Sequence, residues 1–303
     1  MKKAGRILIF LGIVFVTGHV SCSWNIREWT QKIPYLENFI KETDEYLSQL
    51  EQDNNIATSK TNSKERNKTG KNTPTKNLEI PAYLTDRPEE IVRHTAYTVS
   101  FNRKHKIPNW VAWQLTPERI TGKVVRSDNF QPDPDIKNGP TANDSDYRRS
   151  GYSRGHMCPA ADNKHSQKAM EESFYFSNIC PQLQSLNGGD WNDLEEKCRK
   201  WAKRYQCIYI VCGPIINSKK PKTIGTNKIT VPEAFFKVIM RHSNKETKAV
   251  GFIFPHKKQN RDIWDYAVTV DEVEEITGIN FFSKLPKNEE RKAESTYNLQ
   301  DWN

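Results

Sequence analysis

The stretch Gly151-Tyr152-Ser153-Arg154-Gly155-His156-Met157-Cys158-Pro159-Ala160-Ala161-Asp162 is the densest chemical segment of this chain of 303 residues. It is followed by Asn178-Ile179-Cys180-Pro181-Gln182 and by Asn187-Gly188-Gly189-Asp190-Trp191-Asn192-Asp193-Leu194-Glu195. Read as extended backbone, residues 152–157 send alternate side chains to opposite faces, so Arg154 and His156 share one face. Gly155 between them leaves the other face open to close approach. A neutral histidine with a pKa of about 6.5 takes a proton from water at physiological pH. A guanidinium holds phosphate oxygens while negative charge builds on them, so the pair points to phosphodiester hydrolysis and lacks only a Lewis acid.

Asn187 precedes a helical pattern that contains Glu195. Along a continuous helix the two would stand about 12 Å apart and about 80° around the axis. They would not share an ion unless the Gly188-Gly189 turn folds Asn187 back. One hard cation such as Mg²⁺ fits better, bound by the Asn187 amide oxygen and keeping most of its waters, with Glu195 gripping those waters. Zinc at His156, Cys158 and Cys180 is the competing arrangement. No Cys-x-x-Cys pair supports it, and a zinc-bound His156 would be unable to act as a base.

The ordered set Tyr152-Ser153-Arg154-Gly155-His156, Asn178-x-x-Pro181-Gln182-x-x-x-x-Asn187-x-x-x-Trp191-x-x-Leu194-Glu195 resembles the DNA/RNA non-specific endonucleases, a branch of the ββα-metal or His-Me finger nucleases. The resemblance runs from about residue 94 to 288 and takes in Trp110-Val111-Ala112-Trp113, Gly213-Pro214 and Val270-Asp271-Glu272-Val273-Glu274. It implies a ββα-metal core with a mostly antiparallel central sheet flanked by helices. It implies that His156 is the general base, that Asn187 is the direct ligand of a divalent metal, Mg²⁺ with Mn²⁺ as a substitute, and that Glu195 holds metal-bound waters. Asn178 then supports the site, while Arg154 and Arg126 neutralise the phosphate. DNA and RNA are the implied substrates, 5′-phosphate and 3′-hydroxyl ends the products, and a homodimer a common assembly. Ser153 is a departure, because the family usually has Asp there. The alternative that this opens is a surface module that binds nucleic acid and has lost turnover.

Working outward, residues 94–101 and 110–115 form apolar runs around the turn-like Lys104-His105-Lys106-Ile107-Pro108-Asn109 and predict a hairpin. Further strands are expected at 207–213, 235–241, 249–254 and 264–270. A helix over Asp190–Tyr205 puts Trp191, Leu194, Cys198, Trp201, Ala202 and Tyr205 on one face. A second, Asp271–Ile276, reads as capped by Asp271, with Glu274 three residues on and a stop at Gly278. Strands grouped around a few helices indicate α+β, with one endonuclease domain over 78–303. His94, His105, His165, His242 and His256 have no spaced partner set and are assigned to packing or the surface.

Only 36% of the chain is hydrophobic while 11% is aromatic, which excludes both a polytopic membrane protein and a wholly disordered chain. A net charge of +9 is compatible with a polyanionic partner. Lys2, Lys3 and Arg6 before the apolar run Ile7–Val16 read as an export signal over 1–22, with Cys22 where a bacterial lipoprotein carries its lipid. Residues 23–53 read as an amphipathic helical segment and 54–77 as a flexible polar linker. The expected location is therefore outside the cytoplasm: periplasmic, anchored to the outer membrane or extracellular. Export favours disulfides, and Cys158 with Cys180, or Cys198 with Cys207 or Cys212, are the pairings considered.

Overall fold

The computed structural model describes residues 77–302 apart from 138, 140, 244, 245 and 260. The export signal, Cys22, the helical segment and all of the linker but its last residue lie outside the described residues. What is described begins with three antiparallel strands, β1 (Glu90–Arg93), β2 (Thr98–Asn102) and β3 (Ile107–Leu115). The expected hairpin is β2–β3, tightened by Lys106 at φ 58° and shifted in register between Ser100 and Phe101. β1 was not expected. It pairs with β2 through the turn that holds His94 and Thr95.

Short helices α1 (Pro117–Thr121) and α2 (Asp144–Tyr147) flank the loop that carries Arg126. Then come β4 (Ser153–His156), α3 (Gln167–Glu172), β5 (Ile179–Gln182), α4 (Gln184–Asn187) and α5 (Asp190–Tyr205). The stripe predicted for α5 is buried at Trp191, Leu194, Cys198, Trp201 and Ala202, and the helix stops at Gln206 with φ 66°. β6 (Ile208–Ile215), β7 (Thr223–Ile224), β8 (Ile229–Thr230), β9 (Ala234–His242), β10 (Thr247–Pro255) and β11 (Ala267–Val268) follow, with α6 (Val270–Thr277) and α7 (Lys287–Glu294) at the end.

Seven strands form one antiparallel sheet in the order β1-β2-β3-β6-β9-β10-β11, and β4 pairs with β5 in a separate two-stranded sheet. The architecture is α+β, with the small two-stranded sheet packed beside β3. Strands β3, β6, β9 and β10 are buried along nearly their whole length. They accordingly read as almost unbroken apolar runs, with little alternation, because both faces of the sheet are covered. Trp110, Trp113, Trp191, Phe235 and Phe252 are among the fully buried side chains. Truncating one such aromatic to alanine costs about 3–5 kcal/mol.

Two expectations fail locally. Residues 264–270 are not one strand: a 3₁₀ turn, Ile263–Tyr266, is capped by the Asp262 side chain, and only two residues then pair with β10. Helix α6 is capped by Thr269, whose hydroxyl accepts from the Glu272 backbone while Glu272 reaches back to the Thr269 N–H. That is the same capping box, two residues earlier than the Asp271-Glu274 frame, and Gly278 at φ 67° ends the helix as expected.

Candidate active site

The β4–β5 register sets Ser153 opposite Gln182, Arg154 opposite Pro181, Gly155 opposite Cys180 and His156 opposite Ile179. Arg154 and His156 do share a face, because the Phe130 ring meets both, its centroid 5.3 Å from the Arg154 guanidinium and 5.5 Å from the imidazole. On the other face Ser153 Oγ donates to Gln184 Oε1 at 2.6 Å. A Cβ at Gly155 would collide with the Gln182 side chain, 2.7 Å from its Cβ. The close approach that the glycine permits is thus made by Gln182.

Phe174 completes an aromatic wall. It packs edge-on to His156 at 4.8 Å and to Phe130 at 5.0 Å, and carries the Arg126 guanidinium 4.9 Å over its face. Arg126, on a loop well before β4, is therefore brought together with Arg154 and His156 around Phe130 and Phe174. Burial, reinforced by the nearby Arg126 charge, pushes the His156 pKa down to about 3. The ring is held neutral, and its Nε2 is buried without a hydrogen-bond partner. Arg154 pairs with Asp144 at 2.6 Å through one nitrogen while its Nε has no partner. Arg126 is half-exposed and pairs with Asp128 at 2.6 Å. Beside it a cavity of about 430 Å³ is lined by Lys123, Arg126 and Lys164 among others, a basic groove that shares Arg126 with the aromatic wall.

Asn178 lies beneath this surface, fully buried. Its Oδ1 accepts from the Cys158 backbone at 2.8 Å, and its Nδ2 donates to the carbonyls of Cys158 and Ser173 at 2.9 and 2.8 Å. Every polar atom of that amide is occupied, so it fixes the turn that follows His156 and touches nothing outside. A neighbour that the sequence assigned to packing or the surface is His256. It accepts from the Leu183 N–H at 2.7 Å through Nε2 and donates to the Pro232 carbonyl at 2.6 Å through Nδ1, pinning the residue that opens α4. Helix α4 packs on β4 and α5 and ends at Asn187.

The continuous helix assumed between Asn187 and Glu195 does not exist. Gly188 and Gly189 break it, the latter at φ −116° and ψ −122°, so Asn187 ends one helix and Glu195 sits in the next. Glu195, 13% exposed, faces a charged network: Arg199 lies 4.0 Å away and also 3.3 Å from Asp162, which in turn accepts from Trp113 Nε1 at 3.2 Å. Burial raises the Glu195 carboxyl to about 7, opposed by the Lys237 ammonium. Lys237 is fully buried in β9, its Nζ 4.1 Å over the Trp191 ring. Arg199 was legible as the i+4 partner of Glu195. Lys237 stood out as the single charge in Ala-Phe-Phe-Lys-Val-Ile-Met, a signal the sequence reading did not use.

The residues fit a single hard cation. The Asn187 amide is half-buried and makes no side-chain hydrogen bond among the described residues, which leaves its oxygen free to ligate. Among the described residues, the His/Cys/Asp/Glu groups with ligand atoms within 4.8 Å of one another are His94/Asp133/Asp135 and Asp271/Glu274/Glu294, neither of which includes an expected site residue. The zinc arrangement at His156, Cys158 and Cys180 is not among them. The five described cysteines are free, and burial pushes the Cys158 thiol up to about 12 and the Cys180 thiol up as well. The disulfides considered above are therefore not formed.

Comparison with known proteins gives a consistent result. Residues 74–288 match the DNA/RNA non-specific endonuclease family. The chain is 36% identical over 211 residues to mitochondrial nuclease EXOG of Danio rerio, covering 65% of this chain and 62% of that protein. It is 32% identical over 203 residues to human mitochondrial endonuclease G (63% and 68%), and 32% identical over 210 residues to a nuclease of Nostoc sp. (66% and 75%). The chain thus spans somewhat under two thirds of the length of its EXOG relatives. A crystal structure of the EndoG/EndoGI complex aligns with a TM-score of 0.64 at 31% identity, covering 72% of this chain and 96% of the other.

Proposed function

Since the chain belongs to the DNA/RNA non-specific endonuclease family, we propose that it is a divalent-metal-dependent endonuclease that hydrolyses phosphodiester bonds of both DNA and RNA. The observation that carries this reading is the buried, unpartnered Nε2 of His156 on the same face as Arg154 and against the wall that holds Arg126. Arg126 and Arg154 grip the phosphate. His156 takes a proton from the attacking water as the water oxygen bonds to phosphorus, the P–O3′ bond breaks, and the 3′ oxygen takes a proton from a solvent water as it leaves. A histidine pushed down to about 3 is unprotonated throughout the neutral range. The phosphate's own negative charge raises its basicity when substrate is bound.

Asn187 would hold the ion, Mg²⁺ or Mn²⁺, and Glu195 its waters. Once bound, such an ion supplies positive charge to the leaving oxygen and the phosphate. Lys237 and Arg199 favour the charged form of Glu195. Phosphate contacts position a strand without reading bases or sugars, which supports action on both polymers. The groove lined by Lys123, Arg126 and Lys164 is suited to the flanking backbone. Export, a lipid at Cys22 and a homodimer extend the proposal. Mass analysis of the mature N-terminus and sedimentation of the full chain test these three.

The experiment is to incubate the full chain and Asn187→Ala with plasmid DNA and with RNA, in Mg²⁺ and in EDTA. Degradation of both polymers only in Mg²⁺ is expected, with metal affinity in the variant reduced by at least the roughly 10–100-fold that losing a supporting group costs. Binding of both polymers without cleavage in Mg²⁺ would overturn the enzyme in favour of a nucleic-acid-binding module.

A further inference from the structure

At the end of the domain furthest along the chain, α6 and α7 bring three carboxylates together. Asp271 and Glu274 stand one turn apart on α6, and Glu294 is the last residue of α7; their oxygens all lie within 4.8 Å of one another. Exposure falls in steps from Asp271, which is open to solvent, through half-buried Glu274 to Glu294, which is 4% exposed. One Glu274 oxygen accepts from the Phe281 N–H at 2.7 Å. Glu294 Oε1 is buried with no hydrogen-bond donor at all.

A buried carboxylate that has an undonated oxygen and is packed against two further acids needs a positive partner. The nearby lysine does not supply one, because Lys287 is engaged by Glu290 at 2.7 Å and is largely exposed. The C-terminal end of α7 adds negative potential at Glu294.

We propose that Asp271, Glu274 and Glu294 form a Ca²⁺ site, separate from the catalytic centre, that clamps α6 to α7. Three acidic side chains brought together suit Ca²⁺, which takes about six to eight oxygen ligands, more than Mg²⁺, which keeps several of its waters. One oxygen of each carboxylate is placed to bind Ca²⁺, and waters on the Asp271 side complete the shell.

The test uses the full chain carrying Asn187→Ala, so that the catalytic metal does not contribute, stripped with chelator and titrated with CaCl₂ by calorimetry and by thermal melting. One Ca²⁺ per chain and a melting temperature raised by several degrees at saturating ion are expected. Adding Glu294→Gln is expected to abolish both, and Asp271→Asn, a solvent-facing change that keeps the fold, to weaken binding by about tenfold or more. Both single variants in the otherwise unchanged chain keep their Mg²⁺-dependent nuclease activity. No calcium response, or one that survives both substitutions, overturns the site. So does a Glu294→Gln chain that is more stable than its parent in saturating Ca²⁺, because the three acids would then be holding a proton.

Discussion

The two faces of β4 do different work with four consecutive residues. One face presents Arg154 and His156 to an aromatic wall and leaves Arg154 Nε and His156 Nε2 without partners. The other is closed: Ser153 is bonded to Gln184, and Gly155 leaves room that Gln182 fills. Strand alternation lets one short segment face a wall of aromatic rings and guanidinium groups on one side and pack tightly against its own fold on the other. Buried polar atoms without partners carry a cost in a folded protein, and here they lie on both sides, since the Gln182 amide that fills the second face also lacks a hydrogen-bond partner.

The largest break in that contrast comes from His156→Ala, which is expected to lower the rate of plasmid and RNA degradation by about 10²–10⁴-fold while circular dichroism stays unchanged. An equal loss from a substitution at Ser153 would erase the distinction between the faces. Gly155→Ala acts the opposite way. The added methyl meets Gln182, and overpacking of that kind costs about 1–3 kcal/mol, seen as a melting point lower by a few degrees, with activity per folded molecule largely kept. A Gly155→Ala chain as stable as its parent would show that the second face is not closed.

A pH series sharpens the comparison further. The folded His156 titrates at about 3 and an unfolded histidine at about 6.5, so between these values the unfolded chain binds the extra proton. The stability tied to a neutral His156 is fully present above pH of about 6.5 and is lost as pH falls toward 3. His156→Ala removes that contribution, so urea midpoints of parent and variant should converge as pH drops from 7 to 4.5. The smallest effect is expected from Ser153→Asp. Its neighbour Gln184 is exposed and can turn its amide to donate, so activity should stay within about threefold, because the residue lies behind the reacting face.

Much of this was legible because it rests on local rules. Alternation placed Arg154 and His156 together, the α5 stripe followed its 3.6-residue period, and the long apolar runs marked β6, β9 and β10. What escaped depends on contacts distant in sequence. Nothing local says that Phe130 and Phe174 wall the site, or that His256 pins Leu183 across 73 residues. β5 escaped because Ile-Cys-Pro-Gln is too short to show a period, and Thr269 was passed over as a cap because Asp271-Glu274 offered the same spacing two residues on. The Gly188-Gly189 break was visible as composition, yet its effect on Asn187 and Glu195 needed the backbone angles.

The most direct test of His156 as the proton acceptor is chemical rescue. The full-length His156→Ala chain is assayed on plasmid DNA in Mg²⁺ with increasing imidazole, beside the parent. A folded variant that is inactive alone and regains nicking with rising imidazole, while the parent is unaffected, is the predicted result. A variant that cuts at the parent's rate without imidazole would contradict the account.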